Sequence, residues 1–138
     1  MDWLNNYQDD HKAVLLLLAK LEGNLQYLKS GTETPNVFAE FREFADVVKN
    51  VIIPHFRSEE TGIYKDIREV KAEGARFADD MIKEHNVLYP LFERFVTAVE
   101  TEDREKLIEA GDLLNQVLSH HILKEEDEMP RLFTIRGR

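Results

Sequence analysis

The sequence predicts an all-α protein, an up-down-up-down bundle of four helices. Apolar residues recur at alternating intervals of three and four in four long stretches, which is the spacing of amphipathic helices that face a core. The connections between these stretches are short, which favours antiparallel neighbours, and no stretch shows a strand pattern. The 138 residues fit one domain, residues 1–138, that is large enough to bury a single core.

The first two helices are predicted from their apolar stripes and from the turn between them. The first stripe consists of Leu4, Tyr7, His11, Val14, Leu18, Leu21, Leu25 and Leu28. In the turn that follows, Thr34 suits the N-cap and Pro35 the first position of the next helix. The second stripe consists of Phe38, Phe41, Ala45, Val48, Ile52, His55 and Glu59 and fades through Ile63 and Ile67. Because Pro54 lies inside this helix, we expect a bend or a local backbone gap just before His55.

The last two helices follow the same rhythm. The third stripe consists of Ala78, Met81, His85, Leu88, Phe92, Phe95 and Val99. The fourth helix begins near Arg104, and its stripe consists of Leu107, Ala110, Leu114, Leu118, His121, Glu125 and Met129. Proline disrupts helix hydrogen bonding, so we expect Pro90 to kink the third helix and Pro130 to disturb the final turns of the fourth.

Six ionisable side chains occupy these apolar stripes: His11, His55, Glu59, His85, His121 and Glu125. Burying such groups is costly unless something pairs them, and a metal ion is the simplest partner. Residues four apart share one helix face, so each His-x3-Glu pair presents a nitrogen and an oxygen to the same point. A carboxylate can also bridge two ions about 3.5–4 Å apart. The pattern predicts a two-metal site of four histidines and two glutamates, in which open coordination positions remain for a small ligand.

The two halves of the chain repeat this arrangement. A lone core histidine precedes residues 55–60 in the first half and residues 121–126 in the second, and both blocks read His-x3-Glu-Glu. We interpret the second glutamates, Glu60 and Glu126, as solvated charges of the helix surface. His120 has Lys124 four residues on, which makes it a flanking group. Tyr89, one turn after His85, is open to three interpretations: a metal ligand, a hydrogen-bond partner of a molecule bound at the site, or a structural tyrosine.

Composition restricts the metal and the partners. The chain has no cysteine, so any metal is held by nitrogen and oxygen. Imidazole with carboxylate suits iron first, with manganese or zinc as alternatives, whereas calcium and magnesium prefer oxygen alone. A net charge of -9 opposes binding to nucleic acid or to an anionic membrane surface. No apolar run is long enough to span a bilayer and no basic leader opens the sequence, so we expect a cytoplasmic protein.

The order His, His-x3-Glu, His, His-x3-Glu between His11 and Glu125 resembles the hemerythrin family, in particular the hemerythrin-like or HHE cation-binding domains. The resemblance covers essentially the whole chain and implies a non-haem di-iron centre, oxo- or hydroxo-bridged. It implies that His11 and His55 bind one iron and that His85 and His121 bind the other. It further implies that Glu59 and Glu125 are the bridging carboxylates.

Two positions differ from the oxygen-carrying members of that family. Those proteins have a second histidine one turn after the third-helix ligand and an aspartate five residues after the last one, where this chain has Tyr89 and Glu126. The ligand set is most similar to the di-iron domain of the repair-of-iron-centres proteins, which are associated with nitric oxide and oxidative stress. Those proteins also carry a cysteine-containing N-terminal segment that has no counterpart here.

Three functional hypotheses follow, and the sequence leaves open whether the protein is an enzyme. The first is a di-iron protein that binds or reduces dioxygen, nitric oxide or hydrogen peroxide, with an electron donor, in a mostly dry pocket lined by Leu15, Leu18, Ile52, Leu88 and Leu118. The second is a non-enzymatic oxygen, redox or iron sensor, or an iron-handling module, whose metal state is read by a protein partner. The third is a metal-free bundle with a polar core.

Overall fold

The computed structural model describes the backbone of residues 2–31, 37–69 and 72–136, and side chains within 11–31, 37–69 and 72–132. The helices are α1 (Asp2–Lys29), α2 (Val37–Val47), a π-helical turn (Val48–Ile52), α3 (Ile53–Thr61), α4 (Ile63–Arg68), α5 (Ala72–Glu100) and α6 (Arg104–Arg136). These ranges contain no strand, so the all-α prediction is confirmed. The predicted cap at Thr34 and Pro35 lies outside the described residues.

The long helices form a ring in which each packs against two neighbours. Helix α1 contacts α2 and α6, and α5 contacts the same two helices. Lys29, at the end of α1, forms an ion pair at 2.8 Å with Asp112 near the start of α6. Arg94, late in α5, lies 3.3 Å from Glu109, early in α6. These contacts make α6 antiparallel to both neighbours, as the up-down-up-down order requires.

The predicted stripes form the core. Every stripe residue of α5 and α6 is buried, and so are His11 and the four stripe leucines that follow Val14 on α1. Burying a leucine or phenylalanine side chain stabilises a fold by about 1.5–3 kcal/mol before entropy is counted. Gly111 lies where α6 meets α1, and a Cβ there would come within 2.8 Å of a Leu25 methyl group. Glycine therefore permits the close approach of these two helices.

The backbone gap expected before His55 is present as the π-helical turn. The amide of Ile53 donates to the carbonyl of Val48, five residues back rather than four. Pro54 follows directly, and its ring would clash with a regular helical carbonyl four residues earlier. The extra residue in this turn moves Phe56 into the core and leaves His55 at the core's edge. Pro90 and Pro130, in contrast, do not interrupt α5 or α6.

The predicted second helix ends sooner than its fading stripe indicated. It breaks at Gly62, and α4 begins at Ile63. Helix α4 packs on α5, with Ile67 in a second core cluster that also contains Phe77 and Met129. A Cβ on Gly74 would lie 2.2 Å from the Ile67 carbonyl oxygen, so this contact needs glycine. The break turns α4 over one end of the bundle.

None of the helices in the described ranges combines the length and hydropathy needed to cross a bilayer.

Candidate metal centre

The six ionisable stripe residues meet in two adjoining groups. Donor atoms of Glu59, His85, His121 and Glu125 all lie within 4.8 Å of one another. His11 and His55 form the second group, again with Glu59, under the same distance limit. We call the first the closed group, because all four of its residues are buried, and the second the open group, because His55 is partly exposed. Because Glu59 belongs to both, the fold offers two neighbouring positions for a cation with a carboxylate between them.

Both glutamates have geometry suited to a bridge. The two oxygens of Glu59 face opposite ways: Oε1 lies 3.4 Å from His85 Nε2 and Oε2 lies 3.3 Å from His55 Nε2. Oε1 of Glu125 lies 2.9 Å from His121 Nε2 and 3.9 Å from His11 Nε2. Each carboxylate thus touches one histidine of each half of the chain, as the predicted bridging role requires.

The closed group is one in which a cation resolves an electrostatic conflict. His85 Nδ1 lies 2.7 Å from a Glu60 oxygen, and His121 Nδ1 lies 2.8 Å from a Glu84 oxygen. An ionised carboxylate only accepts hydrogen bonds, so each Nδ1 is the donor and a neutral ring keeps a bare lone pair on Nε2. The two Nε2 atoms are 3.1 Å apart. Two lone pairs at that separation repel unless a proton or a metal ion lies between them.

Burial and charge set the protonation of these groups without metal. Burial lowers the pKa of His11 to about 4, so its imidazole is neutral and able to bind a cation. Burial acts in the same direction on His121, but hydrogen bonds with Glu125 and Glu84 outweigh it and raise its pKa to about 9. Burial and the charge of Glu59 raise the pKa of Glu125. A metal ion would displace the His121 proton, so its binding should release protons.

The donor set fits a di-metal centre. Both carboxylate oxygens of Glu59 are buried, and neither accepts a well-formed hydrogen bond from any described residue. Such groups normally have partners, and an unsatisfied buried carboxylate is costly. Four imidazoles and two carboxylates, with no cysteine in the chain, suit iron, manganese or zinc.

Tyr64 is a site residue that the sequence analysis missed. Its hydroxyl donates to Glu125 Oε2 in a very short contact and lies 3.3 Å from His85 Nε2. The side chain is fully buried, and burial together with Glu125 and Glu59 raises its pKa far above the ordinary value, so the phenol keeps its proton. The predicted stripe passed through Ile67, which lies three residues after Tyr64 and shares its buried face of α4, but the break at Gly62 shifts this face relative to Glu59, so the continuous stripe omitted Tyr64.

The other tyrosine and the flanking residues lie one step away from the candidate ligands. Tyr89 donates to Glu60 at 2.9 Å, so its hydroxyl points at a carboxylate that holds His85. The solvated interpretation of Glu60 is therefore wrong. Glu126 is also half-buried, with an oxygen 3.6 Å from His11 Nδ1. His120 is exposed, as expected of a flanking group. The repeated Glu-Glu doublet was the signal that could have identified Glu60 and Glu126.

A cavity adjoins the open group. It has a volume of about 250 Å³, and its lining includes His11, His55, Ile52, Phe56, Leu118 and Ile122. Ile52 and Leu118 were predicted to line a dry pocket, but Leu15, Leu18 and Leu88 are not part of this lining. The closed group is buried: Phe56 stacks on His85 at 3.8 Å between ring centroids, and the Tyr64 hydroxyl contacts His85 and Glu125.

Comparison with known families agrees with this geometry. A family model described as the hemerythrin HHE cation binding domain matches residues 4–132, a span that includes all six candidate ligands. No curated protein and no solved structure gives a match. Because the matched residues cover nearly the whole chain, this protein belongs to the hemerythrin HHE cation-binding domain family.

Proposed function

We propose that this chain is a non-haem di-iron protein that binds or reduces dioxygen, nitric oxide or hydrogen peroxide in the bundle core. The observation that carries the proposal is the cavity of about 250 Å³ against His11 and His55, one carboxylate away from a buried second group. In this proposal one metal position is held mainly for structure and charge, and the other faces a chamber that a small molecule can enter. An external electron donor supplies reducing equivalents where reduction occurs.

The proposed ligand assignment follows the two groups. His85 and His121 hold the iron of the closed group, and His11 and His55 hold the iron of the open group. Glu59 and Glu125 would hold both irons, because each carboxylate lies within 4 Å of one histidine from each pair. When bound, the iron pair supplies an open coordination position and a reversible change of oxidation state.

The cavity walls favour a small and uncharged ligand. Apart from the two histidines and Asn50, the lining side chains are apolar, and Ile52 and Leu118 are buried. An anion would have to enter a chamber whose nearest charges are the buried carboxylates, in a protein of net charge -9. Dioxygen, nitric oxide and hydrogen peroxide meet these requirements, and nitrite or phosphate does not.

Stopped-flow mixing tests the proposal directly. The ferrous-loaded protein is mixed anaerobically with dissolved nitric oxide, and in separate runs with dioxygen or hydrogen peroxide, while the optical spectrum is recorded. We expect a rapid spectral change with at least one of the three. A ferrous protein that is inert to all three contradicts the proposal. Repeated turnover with an added reductant would establish an enzyme, and stoichiometric binding alone would favour the sensor hypothesis.

A matched pair of variants tests whether the small ligand reaches the metal centre through the cavity. Val51 lines the cavity and its side chain is 52% exposed, whereas Val87 is 57% exposed on α5, away from the cavity lining. We expect Val51→Trp to slow the ligand reaction by about tenfold or more and Val87→Trp to leave it unchanged. Equal rates for the two variants would contradict entry through this cavity.

A further inference from the structure

Three of the four candidate histidine ligands lie beside a carboxylate that is not itself a candidate ligand. Glu60 contacts His85 Nδ1 at 2.7 Å, and Glu84 contacts His121 Nδ1 at 2.8 Å. Glu126 lies 3.6 Å from His11 Nδ1. In every case the carboxylate and the histidine belong to different helices: α3 to α5, α5 to α6, and α6 to α1. The contacts therefore run around the ring of helices.

We propose that Glu60 and Glu84 are positioning residues that keep the Nδ1 proton of His85 and His121 and so commit Nε2 of each ring to a metal ion. The inference rests on the proposed metal centre and on its ability to bind zinc, which imidazole and carboxylate donors suit, but not on the identity of the small ligand. Carboxylates that accept from the outer nitrogen of a ligating imidazole fix its tautomer and orientation, and losing one typically weakens metal binding by about 10- to 100-fold.

Each of these glutamates is itself held in place. Tyr89 donates to Glu60 Oε2 at 2.9 Å, the same oxygen that faces His85. Lys124 donates to Glu84 Oε2 at 3.1 Å, while Oε1 of that carboxylate faces His121. Both carboxylates are only about one quarter exposed, with side-chain exposures of 27% and 26%. Glu84 is thus held at both oxygens, and Glu60 is held by two partners at one oxygen, whereas a surface ion pair would leave its carboxylate free to rotate.

The proposal also gives a reason for the repeated Glu-Glu doublets. The first glutamate of each doublet, Glu59 or Glu125, faces the space between the histidines. The second reaches the lone histidine of the other half of the chain: Glu60 approaches His85, and Glu126 approaches His11. Each helix hairpin therefore places a carboxylate beside the lone histidine of the other, and the Glu60–His85 contact is the shorter of the two.

Nuclear magnetic resonance of the zinc-loaded protein tests the tautomers. Zinc is diamagnetic, and two-bond 1H–15N correlations of labelled histidine distinguish the nitrogen that carries the proton from the one that binds metal. We expect His85 and His121 to carry the proton on Nδ1 and zinc on Nε2. Glu60→Gln should shift the Nδ1–H signal of His85 and not that of His121, and Glu84→Gln should do the reverse. A loss of stability alone would not give this residue-specific pattern.

Zinc affinity supplies the second readout, with Glu93→Gln as the control. Glu93 is exposed on α5, so its substitution removes the same charge without touching a histidine. We expect Glu60→Gln and Glu84→Gln to weaken zinc binding by about 10-fold or more and Glu60→Ala to weaken it further, while the control binds as the wild type does. Zinc on Nδ1, or affinities equal to the control, would overturn the proposal. A wild-type protein that binds no zinc would overturn this proposal while leaving the iron reaction to its own test.

Discussion

The open and closed groups use the same sequence motif, yet the fold treats them differently. His55 is 22% exposed beside the cavity, whereas His121 in the equivalent position of the second half is fully buried. Two local features produce this difference. The π-helical turn ahead of Pro54 displaces His55 to the core edge, and α4 places Tyr64 against the opposite group. A repeated motif therefore brings the same residue types to both groups, and irregular backbone decides which group faces the cavity.

Replacing a candidate histidine ligand should give the largest effect, and the loss of metal should differ between the two groups. His121→Ala removes a donor from the closed group and leaves Glu125 without its nearest imidazole, so we expect metal binding at both positions to weaken by more than about 100-fold, beyond the effect typical of outer carboxylates. His55→Ala should abolish binding at the open position and leave one metal ion per chain. Metal analysis after equilibrium dialysis measures both outcomes. Equal metal content in the two variants would contradict the distinction between the groups.

Chelation should destabilise the protein through the glutamates that both groups share. Without metal, Glu59 and Glu125 face each other in the core, and burial and mutual repulsion raise the pKa of Glu125. A metal at 1,000 times its dissociation constant stabilises by about 4 kcal/mol. We expect chelation to lower the melting temperature, measured by circular dichroism, by more than about 10 °C. Large loss of helicity at ambient temperature would favour the sensor hypothesis, and a rigid metal-free bundle would favour a preformed reactive site.

Between pH 6.5 and 9.5, the pH dependence of the stability of the metal-free protein should report on the closed group, because the lowered pKa of His11 acts below that range. The pKa of His121 rises from 6.5 when unfolded to about 9 when folded, so its protonation stabilises the fold below pH 6.5 and this contribution is lost as pH rises through 9. We expect the free energy of unfolding, measured with urea, to fall by an amount on the order of 3 kcal/mol between pH 6.5 and 9.5. His121→Asn should flatten that slope. A slope unchanged in this variant would mean that another group controls it.

Replacing either tyrosine by phenylalanine should give the smallest change in the free energy of unfolding. Tyr64→Phe leaves Glu125 Oε2 without its buried donor, which we expect to cost about 1–3 kcal/mol in the metal-free protein. Tyr89→Phe removes a half-buried hydrogen bond to Glu60 and should cost less than about 0.5 kcal/mol. Denaturant unfolding of both variants measures the difference. A larger loss from Tyr89→Phe would contradict the placement of Tyr64 in the sealed half.

Periodicity alone was enough to predict the helices and the convergence of the six candidate ligands, because a residue in an apolar stripe must face the core. It was not enough at three places. Tyr64 lies beyond the break at Gly62, where the helical register changes and a stripe continued from Glu59 passes it by. The partial exposure of His55 depends on one extra residue in a π-helical turn. Glu60 supports a histidine on another helix, and such contacts depend on how helices pack rather than on spacing along one of them.

The central claim is that two metal ions occupy the space between the histidines, one sealed and one facing the cavity. Anomalous diffraction from crystals of the iron-loaded protein, recorded at the iron absorption edge, tests it most directly. The account predicts two peaks about 3.5–4 Å apart, one beside His85 and His121 and the other between His11, His55 and the cavity. No peak within this cluster, or a single peak at full iron occupancy, would contradict it.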